Sequence, residues 1–236
     1  MIRISVFIWL VIASFASFAQ YKDAGMWTDA TVVAAINKKL DFAFSPEIRL
    51  NENISRISRI FADLGLQYKL NKYFQASLTY RTGFAHLVEV YQSRHRFQFG
   101  VGYKMKLHDF SFALTTRWQL ATRANTPEND PDLITTVRNK IAVKYSGMKK
   151  MDFSTSFELF NKSNLYNSFA LQNWRWIVSA ERKLNKRNFL SIGYLIQKSI
   201  LDSPQEIDFV ILVSYQHDLK WKKNKGGKEV GTKPSE

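Results

Sequence analysis

Along most of this chain, apolar side chains fall at every second position. The clearest run is Phe97, Phe99, Val101, Tyr103, Met105 and Leu107, interleaved with Arg96, Gln98, Gly100, Gly102, Lys104 and Lys106. Successive side chains of a strand point to opposite faces, so this period of two makes a strand with one apolar and one polar side. A helix would need spacings of three and four. The pattern recurs at Ala62, Leu64, Leu66, Tyr68 and Leu70; at Phe74, Ala76, Leu78 and Tyr80; and at Phe110, Phe112 and Leu114, with Trp118 and Leu120 in phase. It continues at Val137, Ile141, Val143 and Tyr145; at Phe153, Phe157 and Leu159; at Trp174, Trp176 and Val178; at Leu190, Ile192, Tyr194 and Ile196; and at Phe209, Ile211, Val213 and Tyr215. Weaker versions occupy Ala30 to Ile36 and Phe42 to Leu50, where Pro46 points to a bulge or an edge. Roughly eleven strands of about nine to thirteen residues result, longer than the globular mode of about five to six.

The connections alternate as well. Short turns fall at Asn37-Lys38-Lys39, Asn71-Lys72, Leu107-His108-Asp109, Met148-Lys149-Lys150 and Asn185-Lys186-Arg187. Longer polar loops run from Asn51 to Ser58, Ala85 to Arg94, Ala121 to Thr135, Asn161 to Gln172 and Lys198 to Asp208. Short turns at one end and long loops at the other predict an all-β, antiparallel up-and-down transmembrane β-barrel, with the short turns in the periplasm. The turn alternation gives an odd strand count, whereas a barrel with both termini in the periplasm needs an even one. Either one of the first two segments is not a strand, or the first strand enters from the outer end; the range is 10–12.

Alternation does not say which way the apolar face looks, and a soluble periplasmic β-sandwich shares it. The apolar set of some eleven strands would overfill a small barrel if it pointed inward. The polar parity carries Glu47, Arg49, Asp63, Arg81, Arg96, Arg117, Arg138, Glu158, Arg175 and Glu181, charges of both signs that suit a wet lumen where they can pair. Aromatic residues predict two interfacial girdles. Tyr68, Phe74, Phe110, Tyr145 and Trp221 lie towards the short turns, and Tyr80, Phe97, Trp118, Trp174 and Trp176 towards the long loops.

The first twenty residues differ from the rest. Arg3, an apolar stretch from Ile4 to about Ala16, and Ser17-Phe18-Ala19 before Gln20 read as a secretory signal cleaved after Ala19. The expected organisation is a signal peptide over 1–19, a barrel over 20–221 and a disordered basic tail over 222–236. Composition then rules out several classes. There are no cysteines, hence no disulfide framework, thiolate zinc site or lipoprotein anchor. The 34 Lys and Arg against 20 Asp and Glu give +14. Much of that excess lies in the short turns and the tail, facing anionic head groups. No nucleic-acid-binding motif accompanies it.

Gly25-Met26-Trp27, Glu47-Ile48-Arg49-Leu50-Asn51-Glu52-Asn53, the run from Asp63 to Lys72, and Ser93-Arg94-His95-Arg96-Phe97 give the chain a family likeness. It resembles the bacterial family of domain of unknown function 2490. That resemblance implies an exported outer-membrane barrel and brings no substrate, activity or catalytic residue.

Candidate chemistry is sparse. Glu47 and Asp63 read as structural ion pairs with lumen arginines rather than as a catalytic pair. His86, His95, His108 and His217 lack ligand spacing, so no metal or cofactor is expected. Ser93 and His95 project to one side of an extended segment at the outer rim, where a lipid hydrolase or acyltransferase would meet substrate, although neighbours at i and i+2 usually sit too far apart. The expected function is a non-enzymatic outer-membrane barrel that either passes small solutes with an anion leaning or is plugged by its own ion pairs. A lipid-modifying enzyme and a soluble periplasmic sandwich are the alternatives. Its expected partners are outer-membrane lipids and, during insertion, the barrel-assembly machinery; strands do not announce an oligomeric state.

Overall fold

In a computed structural model, residues 24–87, 90–123, 133–163, 170–200 and 207–219 are described. The segments read as signal peptide (1–19) and basic tail (222–236) lie outside them, as does Trp221. The described residues form eleven strands: β1 Ala24–Ala35, β2 Leu40–Asn51, β3 Arg56–Lys69, β4 Phe74–Leu87, β5 Val90–Leu107, β6 Phe110–Arg123, β7 Leu133–Met148, β8 Met151–Ser163, β9 Ala170–Lys183, β10 Asn188–Ser199 and β11 Ile207–Leu219. Each pairs antiparallel with its sequence neighbours, and β1 closes on β11 into a barrel. One sheet closed on itself removes the sandwich alternative.

The apolar parity faces outward. Phe97, Ile141 and Ile192 are 57–58% exposed, whereas a core-facing set would be covered; Leu195, on the inner parity, is 1% exposed. The outer face therefore needs an apolar solvent. Closure satisfies the backbone groups that an open edge would leave bare in such a solvent. The shortest strands have 12 residues. At about 3.3 Å per residue and a tilt of about 40°, they project about 30 Å, the thickness of a bilayer's hydrocarbon layer.

Three of the five connections at the short-turn rim use one device. After Ile36, Leu70 and Leu184 come Asn37, Asn71 and Asn185, whose side-chain oxygens accept from the backbone N–H groups two and three residues on, at 2.8–3.0 Å. Such an Asx turn fixes the hairpin without glycine. The other two are tight turns in which His108 (φ 52°) and Lys150 (φ 65°) take the left-handed conformation.

Three expectations change. The strands are 12–18 residues long rather than nine to thirteen, because they continue into what reads as loop. The segment from Ala85 to Arg94 is mostly hairpin, with His86 opposite Tyr91 and Leu87 opposite Val90. Pro46 is at neither an edge nor a bulge: β2 pairs on both sides, and only the ladder to β1 lapses, opposite Ala30 and Thr31, where proline has no N–H to give. A hydrogen bond between the Thr31 and Ser45 hydroxyls, 2.7 Å, spans that gap.

Closure settles the odd strand count that the turns left open. The strand number is odd, and the closing pair is parallel, from Ala24 opposite Phe209 to Ala34 opposite Leu219. The first strand thus begins at the long-loop rim and the last ends at the short-turn rim. Ten of the eleven pairings are antiparallel as expected; the eleventh cannot be, because both its strands run the same way. Inside the seam, the Ser214 hydroxyl donates to Asp29, and Thr31 donates to the same carboxylate at 3.2 Å. Because the chain has no cysteine of its own, T28C with V213C tests this directly: the two positions are partners in register. Neighbouring strands lie within disulfide reach. An oxidant should link the pair in the folded barrel and keep the heated protein compact on a gel. No link in folded protein would mean that the seam is not closed in this register.

Candidate functional site

Because inward and outward positions alternate, every strand delivers its polar set to one shared interior. The cavity there has a volume of about 710 Å³. Arg49, Arg59, Arg81, Arg94, Arg96, Arg117, Arg138, Lys140, Lys162 and Arg175 line it, against the carboxylates Asp29, Glu47 and Asp63. Glu158, 4% exposed, lies behind Arg138.

Two ion-pair clusters organise this wall. In the first, on β2 to β4, Arg81 is a fork between two acids: Nε and Nη2 donate to the two Asp63 oxygens at 2.6 Å each, and Nη2 also donates to Glu47 at 2.6 Å. Asp63 and Arg81 are direct cross-strand partners, so register alone brings them together. The other oxygen of Glu47 accepts from Arg49. The second cluster centres on Glu158, which takes both a 2.9 Å and a 2.7 Å bond from Arg138 and has Arg117 at 3.8 Å and Arg175 at 3.9 Å. Arg175 also donates to Gln197 at 3.0 and 2.6 Å.

Aromatic rings inside the lumen join the clusters. The Arg49 guanidinium lies 3.6 Å from the centre of the Trp27 ring, and Arg175 lies 5.1 Å from the same ring. Phe61 carries Arg81 at 4.7 Å, and Phe160 carries Arg138 at 4.6 Å and Arg175 at 4.9 Å. A cation over an aromatic face, partly shielded from water, gains about 1–2 kcal/mol. Gly83 makes room for one of these rings: a Cβ there would stand 2.1 Å from the Ile60 carbonyl oxygen and 2.7 Å from the Phe61 ring.

Of the ten inward residues picked out from the sequence, Glu47, Arg49, Asp63, Arg81, Arg96, Arg117, Arg138 and Arg175 line the cavity, and Glu158 anchors three of them. Glu181 sits apart, towards the short turns, in a cluster with Lys144 (3.0 Å) that includes Asp152 and Lys183. Sequence reasoning missed Trp27, Phe61 and Phe160. The available signal was phase: Phe61 and Phe160 are aromatic residues on the polar parity, next to Ala62 and Leu159.

On the outer face, Tyr68, Phe74, Phe110 and Tyr145 cluster near the short turns, with Phe110 and Tyr145 ring centres 5.0 Å apart. Tyr80 and Phe97 touch at 4.7 Å, Trp118 stacks on Phe99, Trp174 stacks on Phe157, and the Trp176 indole donates to Thr155 at 2.9 Å. Tyr80, Phe97 and Trp176 fall midway along their strands rather than at the long-loop end, because β4, β5 and β9 run further than the pattern suggested. Exposed Phe84 and Tyr91 lie beyond them. From Phe74 to Phe84, ten residues, the tilted strand climbs about 25 Å, the height of a lipid-facing band.

Ser93 and His95 are closer than their spacing suggested. The Ser93 hydroxyl is 3.1 Å from His95 Nε2, while His95 Nδ1 is 2.8 Å from the Tyr80 hydroxyl and 3.3 Å from that of Thr82. Their strand parity, shared with Phe97, directs them outward, and His95 also borders the interior cavity. The other histidines are separate: His86 meets Arg56 at 2.8 Å, His217 meets Asn188 at 2.6 Å, and His108 is in a turn.

No curated protein matches the sequence. Several solved structures of a Vibrio cholerae outer-membrane protein have a similar outline. The outer-membrane expressed OmpT is 10% identical, with 68% of this chain and 54% of that one covered at a TM-score of 0.40, so this chain spans about half its length. The loop L8 deletion mutant is 10% identical over 79% and 95% at 0.39, and in-vitro folded OmpT 8% identical over 75% and 86% at 0.37. A family model matches residues 24–206. The chain therefore belongs to the family of proteins of unknown function DUF2490.

Proposed function

We propose that this protein is an outer-membrane barrel, short turns towards the periplasm, whose lumen is barred by its own arginine and carboxylate network and lets small anions through slowly. One observation carries the reading. Trp27, held between Arg49 and Arg175, ties the ion pairs of β2–β4 to those of β7–β9 within one cavity. The bar is built mainly of guanidinium groups, and a pore lined by excess cations favours anions. The outward apolar band supports insertion in lipid, and a signal peptide with delivery to the barrel-assembly machinery is the matching export route. Purified protein in a planar bilayer should show small conductance steps with a reversal potential displaced towards chloride. Silence, or a preference for cations, would overturn the proposal.

A second reading, a lipid-modifying enzyme, has one observation in its favour: the relay from Ser93 through His95 to Tyr80. An imidazole oriented on one nitrogen and bonded to a hydroxyl on the other is the arrangement that activates a serine. It faces the lipid side, where an acyl ester would lie. The surrounding backbone N–H groups are engaged in the β4–β5 and β5–β6 ladders, so a developing oxyanion would depend on side-chain hydroxyls such as that of Thr82. If the reading is right, the protein in mixed micelles releases fatty acid from phospholipid, and S93A abolishes the release. Equal turnover by S93A would remove it.

A further inference from the structure

Along β9 the outward side chains shrink towards the short turns and end in a charge: Trp174, Trp176, Val178, Ala180 and Arg182 share one face. Register sets larger groups beside the small ones. Across β6 to β10, Phe110, Tyr145, Phe153, Ala180 and Ile192 form one row, and Val143, Thr155, Val178 and Tyr194 belong to the next. The small members of both rows floor a hollow of about 720 Å³ on the outer surface, walled by the rings of Phe110, Tyr145 and Phe153 on one side and by Tyr194, stacked on Phe209, on the other. That is the size of a ligand site, about 300–1,000 Å³. Trp176 lies at its deep end, where the indole donates to Thr155 at 2.9 Å. Towards the short turns, the next outward residue on β9 is Arg182, about 7 Å along the strand from Ala180.

Arg182 is exposed and, among the described residues, has no carboxylate partner. The acids beside it face inward and are already paired: Asp152 with Lys144 at 2.8 Å and Lys183 at 3.3 Å, and Glu181 with Lys144 at 3.0 Å. The turns on either side add Lys149 and Lys150, and Lys186 and Arg187, all exposed. At this level the outward positions of β10 and β11 turn polar, with Asn188 accepting from the Tyr215 hydroxyl at 2.9 Å and from His217 Nδ1 at 2.6 Å. The apolar band ends where Arg182 stands.

We propose that this hollow and Arg182 form a binding site for one anionic glycerophospholipid of the leaflet next to the short turns, with an acyl chain in the hollow and the phosphate on the guanidinium. The inference goes beyond the anion pore and rests only on the reading that places this barrel in lipid. A guanidinium offers paired donors that match two oxygens of one phosphate. Its stem can lie along apolar surface while its head stays at the interface, where a lipid-facing arginine costs far less than at the bilayer midplane. A zwitterionic lipid has the same chains and phosphate but brings a cation of its own to a mouth already crowded with them. The basic mouth therefore selects a negatively charged head group.

The test is native mass spectrometry of the purified barrel folded in detergent, with phosphatidylglycerol or phosphatidylcholine added. One phosphatidylglycerol should stay bound at concentrations where phosphatidylcholine does not. R182Q should weaken that retention about tenfold or more, the effect of losing one charge-assisted hydrogen bond. A180F fills the hollow and should abolish it. Heat-modifiable migration establishes that each variant has folded, and V178F replaces A180F where that variant does not fold. Equal retention of the two lipids, or a graded series with no single preferred lipid, overturns the inference. So does native-like retention by R182Q or by the folded phenylalanine variant. A barrel that pairs with a second copy, the pair being lost in A180F, overturns it as well, because the hollow then belongs to that contact. Retained lipid without conductance removes only the proposed pore, whereas anion-leaning conductance without retained lipid removes only this site.

Discussion

R81A is expected to lose about 3 kcal/mol of stability, the low end of the range for breaking a buried ion pair, and to conduct more than the native barrel. The physical reason is the fork. Arg81 serves Asp63 with two bonds and Glu47 with one, so its removal strands Asp63 and leaves Glu47 with Arg49 alone. Exposure of these side chains, 12% for Arg81 and 11% and 21% for the acids, means that water screens them only in part. Relief of the opposed Arg96 offsets some of the loss, which is why the low end applies. The guanidinium also covers Phe61. Without it the bar has a gap, and because a cation has gone, the reversal potential should move away from chloride even as conductance rises. R81K should fall between, since one ammonium does not reproduce a fork. Urea titration followed by gel migration reads the stability, and a bilayer recording reads the rest. An unchanged midpoint together with unchanged conductance would show that the network neither holds the barrel nor bars it.

How much of this was visible in the sequence follows from what each feature depends on. The period of two is local, so the outward set and the parity of the inward charges could be read directly. Partnership is not local. Asp63 meets Arg81 because a turn over 70–73 sets the β3–β4 register, and Glu158 gathers Arg117, Arg138 and Arg175 from three other strands. A list of charges gives the members of those clusters without their pairing. The lumen aromatics were hidden by a binary reading in which ring meant lipid. Phe61 and Phe160 are inward because guanidinium faces, rather than acyl chains, cover them. Strand ends were misplaced for a related reason. At the end of β4 and the start of β5 the polar Gln92, Ser93 and Arg94 looked like loop, yet they stand in a ladder rising towards the rim. The turns pointed to an odd count and left two explanations open; entry of the first strand from the outer end is the one that holds, and an odd up-and-down barrel then closes in parallel.

E158Q is expected to cost about as much stability as R81A while moving selectivity the other way, and so separates charge from packing. Glutamine keeps the volume of glutamate and removes the carboxylate shared by Arg138 at 2.7 Å, Arg117 at 3.8 Å and Arg175 at 3.9 Å. The carboxylate is 4% exposed, so water takes over little of its role. Three arginines then face one another with only Gln197 and the rings of Trp27 and Phe160 as partners for Arg175 and Arg138. A stability loss of about 3 kcal/mol follows from leaving buried charges uncompensated. Selectivity moves the other way from R81A: the lumen gains one net positive charge, and the reversal potential should shift further towards chloride. Midpoints of urea denaturation, read beside the bilayer potentials, give both signs at once. A variant as stable as the native barrel, with unaltered selectivity, would mean that Glu158 is not the counter-charge of this cluster.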